Sequence, residues 1–152
     1  MSNPDGTKPT QVIDQTCSSF IIGNGKLIFN DGGALKTADT DGKNINTIRE
    51  ADNLVITTLN SRGNTVYYSA YNNNAIDYKL NGYPYTLYSI NFNGKDDRQI
   101  YTGTSWGIYI NIIDNNVYAL DYVMDVDAGH PTYVTIISYM SNKGDDIKLL
   151  PN

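Results

Sequence analysis

The sequence predicts an all-β fold built from a repeated four-stranded unit, and three observations carry that expectation. A spacing of glycine, five residues and an aliphatic side chain recurs along the chain, as Gly6 to Val12, Gly42 to Ile48, Gly94 to Ile100 and Gly144 to Leu150. Three of these run on into apolar stretches at 20–22, 54–56 and 108–110. The composition, with 13 Tyr, 13 Gly and few Leu or Glu, favours strands and tight turns over helices. Turn dipeptides (Asn24-Gly25, Asp41-Gly42, Arg62-Gly63, Asn93-Gly94) separate short apolar runs, and Asn24-Gly25 is the strongest kind of short-range signal for a hairpin. A strand-forming repeat of about 50 residues points to a radial array of blades. The expected fold is three four-stranded propeller-type blades preceded by one extra strand. Residues 1–152 read as a single domain, with the extra strand at 10–13 and units at about 17–50, 54–102 and 106–150.

Each unit is read as strands A to D. In the first, apolar residues place A at 19–22 and B at 26–29 around Asn24-Gly25. Asp31-Gly32-Gly33 turns the chain into C at 35–38, and Asp41-Gly42 turns it into D at 45–49. The second unit has A at 54–59, a turn at Arg62-Gly63, B at 65–69, C at 87–91, a turn at Asn93-Gly94 and D at 98–102. The third has A at 108–112, a turn at Asn115-Asn116, B at 117–121, C at 133–139, a turn at Lys143-Gly144 and D at 147–150. Residues 10–13, after Gly6, match the D position of a blade preceding the first. Counting back from the turn glycines, Leu35, Leu87 and Ile137 stand seven residues before and Ala38, Ile90 and Met140 four before. An odd spacing puts these two sets on opposite faces of strand C, so the sheets are apolar on both faces and are sandwiched between neighbours. Length varies between strands B and C, in insertions at 70–86 and 122–132, and such loops often form the binding face of a repeat array.

The bulk properties bound the function. Apolar residues make up 40 % and charged residues 18 %, a globular composition. The net charge of −5 and isoelectric point near 4.6 argue against nucleic acid as a partner, since phosphate binding needs a basic face. One cysteine, Cys17, forms no internal disulfide and reads as a small buried residue beside a strand. No apolar run reaches membrane-spanning length, and the polar start 1–6 is not a signal peptide. A cell-envelope or secreted setting is expected only if the chain is part of a longer, exported protein, so the compartment stays open.

Strand B of the second unit reads Val66-Tyr67-Tyr68-Ser69, its strand C Leu87-Tyr88-Ser89-Ile90, and the turn after it Asn93-Gly94. The first unit carries Leu27-Ile28-Phe29-Asn30 and Leu35-Lys36-Thr37-Ala38 in the same places. These motifs resemble bacterial relatives of the YWTD-type six-bladed β-propeller of low-density-lipoprotein-receptor proteins, a domain family of unknown function. The resemblance spans nearly the whole chain, although the YWTD tetrapeptide itself is absent. It implies half of a six-bladed propeller, and it supplies no catalytic residues.

The candidate chemistry is sparse. Asp39-Thr40-Asp41-Gly42 has part of a calcium-loop pattern, but with Gly42 at the sixth position the end ligands fall on Thr37 and Ile48, so a hairpin turn is the better reading. Asp125, Asp127 and His130, in the third unit's insertion near Asp121, could hold a divalent metal for a hydrolase; their spacing matches no metal-site template. A nucleophilic triad would have to use His130, the single histidine, and no Gly-x-Ser-x-Gly element is present. The Tyr/Asn-rich insertion carries Tyr71, Asn73, Tyr78, Tyr83 and Tyr85, aromatic faces and amides suited to a sugar or a peptide. The alternative is a polar loop capped by its own tyrosines. Trp106, at the start of a strand A, completes the candidate binding set, with core packing as its other reading. The expectation is therefore a non-catalytic binding or scaffolding module, without metal or cofactor, that completes its ring by self-association. A glycan-binding module and a metal-dependent hydrolase are the alternatives.

Overall fold

The computed structural model describes residues 7, 9–75, 83–103, 107–113, 116–125, 132–141 and 147–149, with side chains through residue 120. Among them there is no helix, and so no helix long and apolar enough to cross a membrane. The first antiparallel sheet runs β1 (Ser19–Gly23), β2 (Lys26–Asn30), β3 (Ala34–Asp39), β4 (Asn46–Glu50). The second runs β5 (Leu54–Arg62), β6 (Thr65–Asn72), β7 (Tyr85–Asn91), β8 (Arg98–Thr102). The third runs β9 (Ile108–Ile113), β10 (Asn116–Asp125), β11 (Thr132–Ser141), β12 (Ile147–Leu149). These are three four-stranded meanders in chain order, the blades expected from the repeat.

The turns follow from local chemistry. Asn24 and Gly25 both hold positive φ, 48° and 69°, as a two-residue primed hairpin turn requires. The carboxylate of Asp31 pairs with the Lys36 ammonium and accepts hydrogen bonds from the Gly33 and Ala34 amides; the lysine first and the amides after it hold its pKa below the ordinary value. The Asp41-Gly42 segment is a turn, as read: Asp39 bonds Lys26 and Asn44, and Asp41 bonds Lys43, so both carboxylates are engaged within the hairpin. The second A–B turn comes one residue later than expected, since Arg62 pairs with Thr65. In the third blade Ile113 pairs with Asn116, which places Asn116 in strand B.

Two readings need larger corrections. The B–C insertions are partly strand: β6 and β7 extend to the Tyr71–Tyr85 pair, and β10 and β11 pair without interruption from Asn116–Ser141 to Asp125–Thr132. Alternating Tyr and Asn look like loop in the sequence, yet cross-strand tyrosine pairs stabilise a longer ladder. Residues 10–13 are not a strand, because they join none of the three sheets. A D strand needs a C strand to pair with, and among the described residues the C strands of the three sheets are each paired with a D strand of their own blade.

The core lies between the blades. One layer joins Ile28, Leu35 and Ile48 of the first blade to Ile56, Val66, Tyr68, Ala70 and Ile90 of the second. The other joins Tyr67 and Leu87 of the second blade to Ile108, Ile110, Val117 and Ala119 of the third. Neighbours in strand B thus face opposite layers, Val66 and Tyr68 one way and Tyr67 the other, which is the period-2 logic that made both faces of the sheet apolar.

Candidate functional site

The hairpin registers align the blades residue by residue. Gly23, Arg62 and Ile113 each close strand A opposite the first residue of strand B. Counting from them, Phe20, Leu59 and Ile110 are equivalent, as are Ile22, Ser61 and Ile112. On strand B, Phe29, Tyr68 and Ala119 correspond, as do Leu27, Val66 and Val117. Residues of these sets face the preceding blade. In the second blade Leu59, Val66 and Tyr68 pack on the first blade, and in the third Ile110, Ile112, Val117 and Ala119 pack on the second.

The first mated junction carries a polar network. The Tyr68 hydroxyl donates to Asp97 Oδ1 at 2.8 Å, and Arg49, from β4 of the first blade, lies 3.3 Å from Asp97 Oδ2. The Arg49 guanidinium sits over the Tyr68 and Tyr88 rings, 5.8 and 5.6 Å from their centroids, and those rings stack at 5.0 Å. Burial, then the bond to Asp97, pushes the Tyr68 phenol far above the usual tyrosine range. Beside it, Thr65, Ser89, Asn91, Asp96, Asp97 and Arg98 line a polar cavity of about 430 Å³. At the second junction Thr58 and Ser69 both bond the Ile108 carbonyl, and Asn60 donates to that of Ile110 at 3.1 Å.

At the two end faces no described strand of a further blade covers the sheet. On the first blade Phe20 and Ile22 are 65 % and 64 % exposed, whereas their equivalents Leu59, Ser61, Ile110 and Ile112 pack against a neighbouring blade. With Val12, Ile13, Cys17, Leu27 and Phe29 they line an apolar cavity of about 350 Å³. On the third blade Tyr109 and Ile113, on the other side of β9, are 52 % and 57 % exposed. None of these residues is charged. On β9 the exposed Asn111 stands between Tyr109 and Ile113 on the same side.

The residues expected to bind a ligand are partly brought together. Tyr71 stacks on Tyr83 with centroids 4.7 Å apart and meets Tyr85 at 5.0 Å with the rings tilted by 51°, at the end of β6 and β7. Burial, then the neighbouring Tyr71 and Tyr109, raises the Tyr85 phenol above its ordinary value. Asn73 lies just beyond β6, exposed, its amide donating to the Asn53 carbonyl. Tyr78 and Trp106 lie outside the described residues, as do Asp127 and His130; Asp125 ends β10 opposite Thr132. Cys17 is exposed rather than buried, because the surface it lies against is the open face. Sequence reading missed Arg49, Tyr68 and Asp97 as a unit, since they come from two blades and no spacing links them.

Stacked four-stranded meanders with apolar layers between them define a propeller-type array. No family model and no curated protein sequence matches the chain. Among solved structures it is similar to a chain of a nidogen/laminin complex, with a TM-score of 0.67 at 11 % identity over 99 % of this chain and 55 % of that one. It is also similar to the computationally designed Ika4 protein, with a TM-score of 0.49 at 13 % identity over 94 % of this chain and 98 % of that one. The first likeness supports a YWTD-like propeller fold. This chain spans about half the length of that neighbour.

Proposed function

We propose that the chain is a non-catalytic binding and scaffolding module whose working form is a six-bladed ring of two copies. The observation that carries this is the pair of end faces. Among the described residues each exposes large apolar side chains, Phe20 and Ile22 on the first blade beside Lys36 and Tyr109 and Ile113 on the third beside Asn111, on sheet faces that at the internal junctions pack against a neighbouring blade. Propellers close with about four to eight blades, and three leave both ends open. A two-fold ring sets the third blade of each copy on the first blade of the other, so both faces are buried by one kind of contact. Two copies also match the length of the structural neighbour, of which one covers 55 %.

In this reading the tyrosine cluster is packing: Tyr71 meets Tyr83 and Tyr85, so the rings are spent on one another rather than presented to a sugar. The test is the molar mass of the purified chain by light scattering. The ring gives twice 16.9 kDa at micromolar concentration, and 16.9 kDa overturns it.

A further inference from the structure

We propose that residues 12–14 of a second copy extend the outer strand of the third blade, with Ile13 and Asp14 pairing to Ile137 and Ile136 of β11. The inference rests on the two-copy ring. In the first blade β4 pairs with Ala34, Leu35, Lys36 and Thr37, and in the second β8 pairs with Thr86, Leu87, Tyr88 and Ser89, each across a bulge. In the third, β12 pairs with Ser138, Tyr139 and Met140 among the described residues. The registers align, because Thr47, Gln99 and Leu149 each lie five residues after their turn glycine and pair with Lys36, Tyr88 and Ser138. Ile137 and Ile136 therefore occupy the positions of Leu35 and Ala34, and of Leu87 and Thr86.

In the first two blades those positions pair with the residues seven and eight after the glycine, Arg49 and Glu50, then Tyr101 and Thr102. Seven after Gly144 stands Pro151, which has no N–H to give a ladder. Seven and eight after Gly6 stand Ile13 and Asp14.

This segment already holds the place of a D strand against the first blade. A Cβ at Gly42 would meet the Val12 carbonyl oxygen, as one at Gly94 would meet that of Ile48. Ile13 lines a cavity with Phe29, the equivalent of Tyr68, over which Arg49 lies. Among the described residues the segment joins no sheet, and the Ile13 carbonyl accepts only a local bond from the Gln11 side chain at 3.1 Å, which pairing with a β11 edge brought beside it by the ring would replace.

The test uses two preparations in a Cys17→Ser background, one carrying Ile13→Cys and the other Ile137→Cys. Paired antiparallel residues have Cα atoms about 4.5–5.5 Å apart, within disulfide reach. Refolded together and oxidised, they are expected to give a cross-linked band of doubled mass on a non-reducing gel, with none from either alone. The pair Asp14→Cys and Ile136→Cys repeats the test one register position along, should Ile137→Cys fail to fold. A wild-type dimer whose pairs give no cross-link overturns the strand extension and leaves the ring standing. A wild-type monomer overturns the ring, and the extension with it.

Discussion

Ile22→Glu and Ile113→Glu, made singly, are each expected to split the proposed two-copy ring into 16.9 kDa chains, and an equimolar mixture of the two is expected to recover a dimer. The register sets these residues against each other. At the first internal junction Ser61, the equivalent of Ile22, lies so close to Gly23, the equivalent of Ile113, that an added Cβ on Gly23 would sit 2.0 Å from the Ser61 hydroxyl. A carboxylate at either position is buried without a partner, at a cost of several kcal/mol, and the two-fold repeats that cost at both junctions. At about 1.4 kcal/mol per tenfold, the dissociation constant rises by about 100-fold or more. In the mixture, one junction of each mixed dimer carries both glutamates and the other carries none, so one clean contact survives. Face-to-face pairing of like ends would give a different pattern, in which only one of the two substitutions dissociates the dimer and mixing restores nothing. Light scattering on the two variants and their mixture decides between these.

Tyr68→Ala lowers stability by about 3–5 kcal/mol, the usual cost of emptying a large aromatic site in a core. Tyr68 is fully buried, stacks on Tyr88, supports Arg49 and donates to Asp97. Its removal opens a void in the layer that joins the first two blades and leaves the Arg49–Asp97 pair without its aromatic floor. For a domain of this size the loss lowers Tm by on the order of 10 °C. Tyr68→Phe keeps the stack and removes one hydrogen bond, so its expected cost is about 1 kcal/mol. Thermal or urea unfolding of the two variants separates packing from hydrogen bonding. Equal losses would show that the Asp97 bond, and not the ring, carries the junction.

Much of the fold was legible because its signals are local. Asn24-Gly25 specifies its turn by backbone conformation alone, and β8 falls at 98–102 as read. The faces of strand C were legible too, since Leu35 and Leu87 on one side and Ile90 on the other alternate with period two. What local signals could not give was pairing across the chain. The ladder from Tyr71–Tyr85 exists because two tyrosines meet across strands, and each by itself reads as loop. Arg49, Tyr68 and Asp97 are joined by the stacking of blades, which no sequence interval encodes. Residues 10–13 failed as a strand for a related reason: their pattern states a D position, but a strand is made by its partner, and the described residues of this chain supply none. The same register that made the segment look like a strand is what points to β11 of a second copy.

Hydrogen exchange read by mass spectrometry, comparing wild type with Ile113→Glu, tests the ring most directly. The substitution lies on the third blade, and β1 lies two blades away in the same chain. If two copies close head to tail, opening the ring uncovers β1 and the segment before it, and both exchange faster in the variant although nothing near them has changed. Unaltered exchange across Ser19–Gly23, with any effect confined to β9 and its neighbours, would contradict the ring.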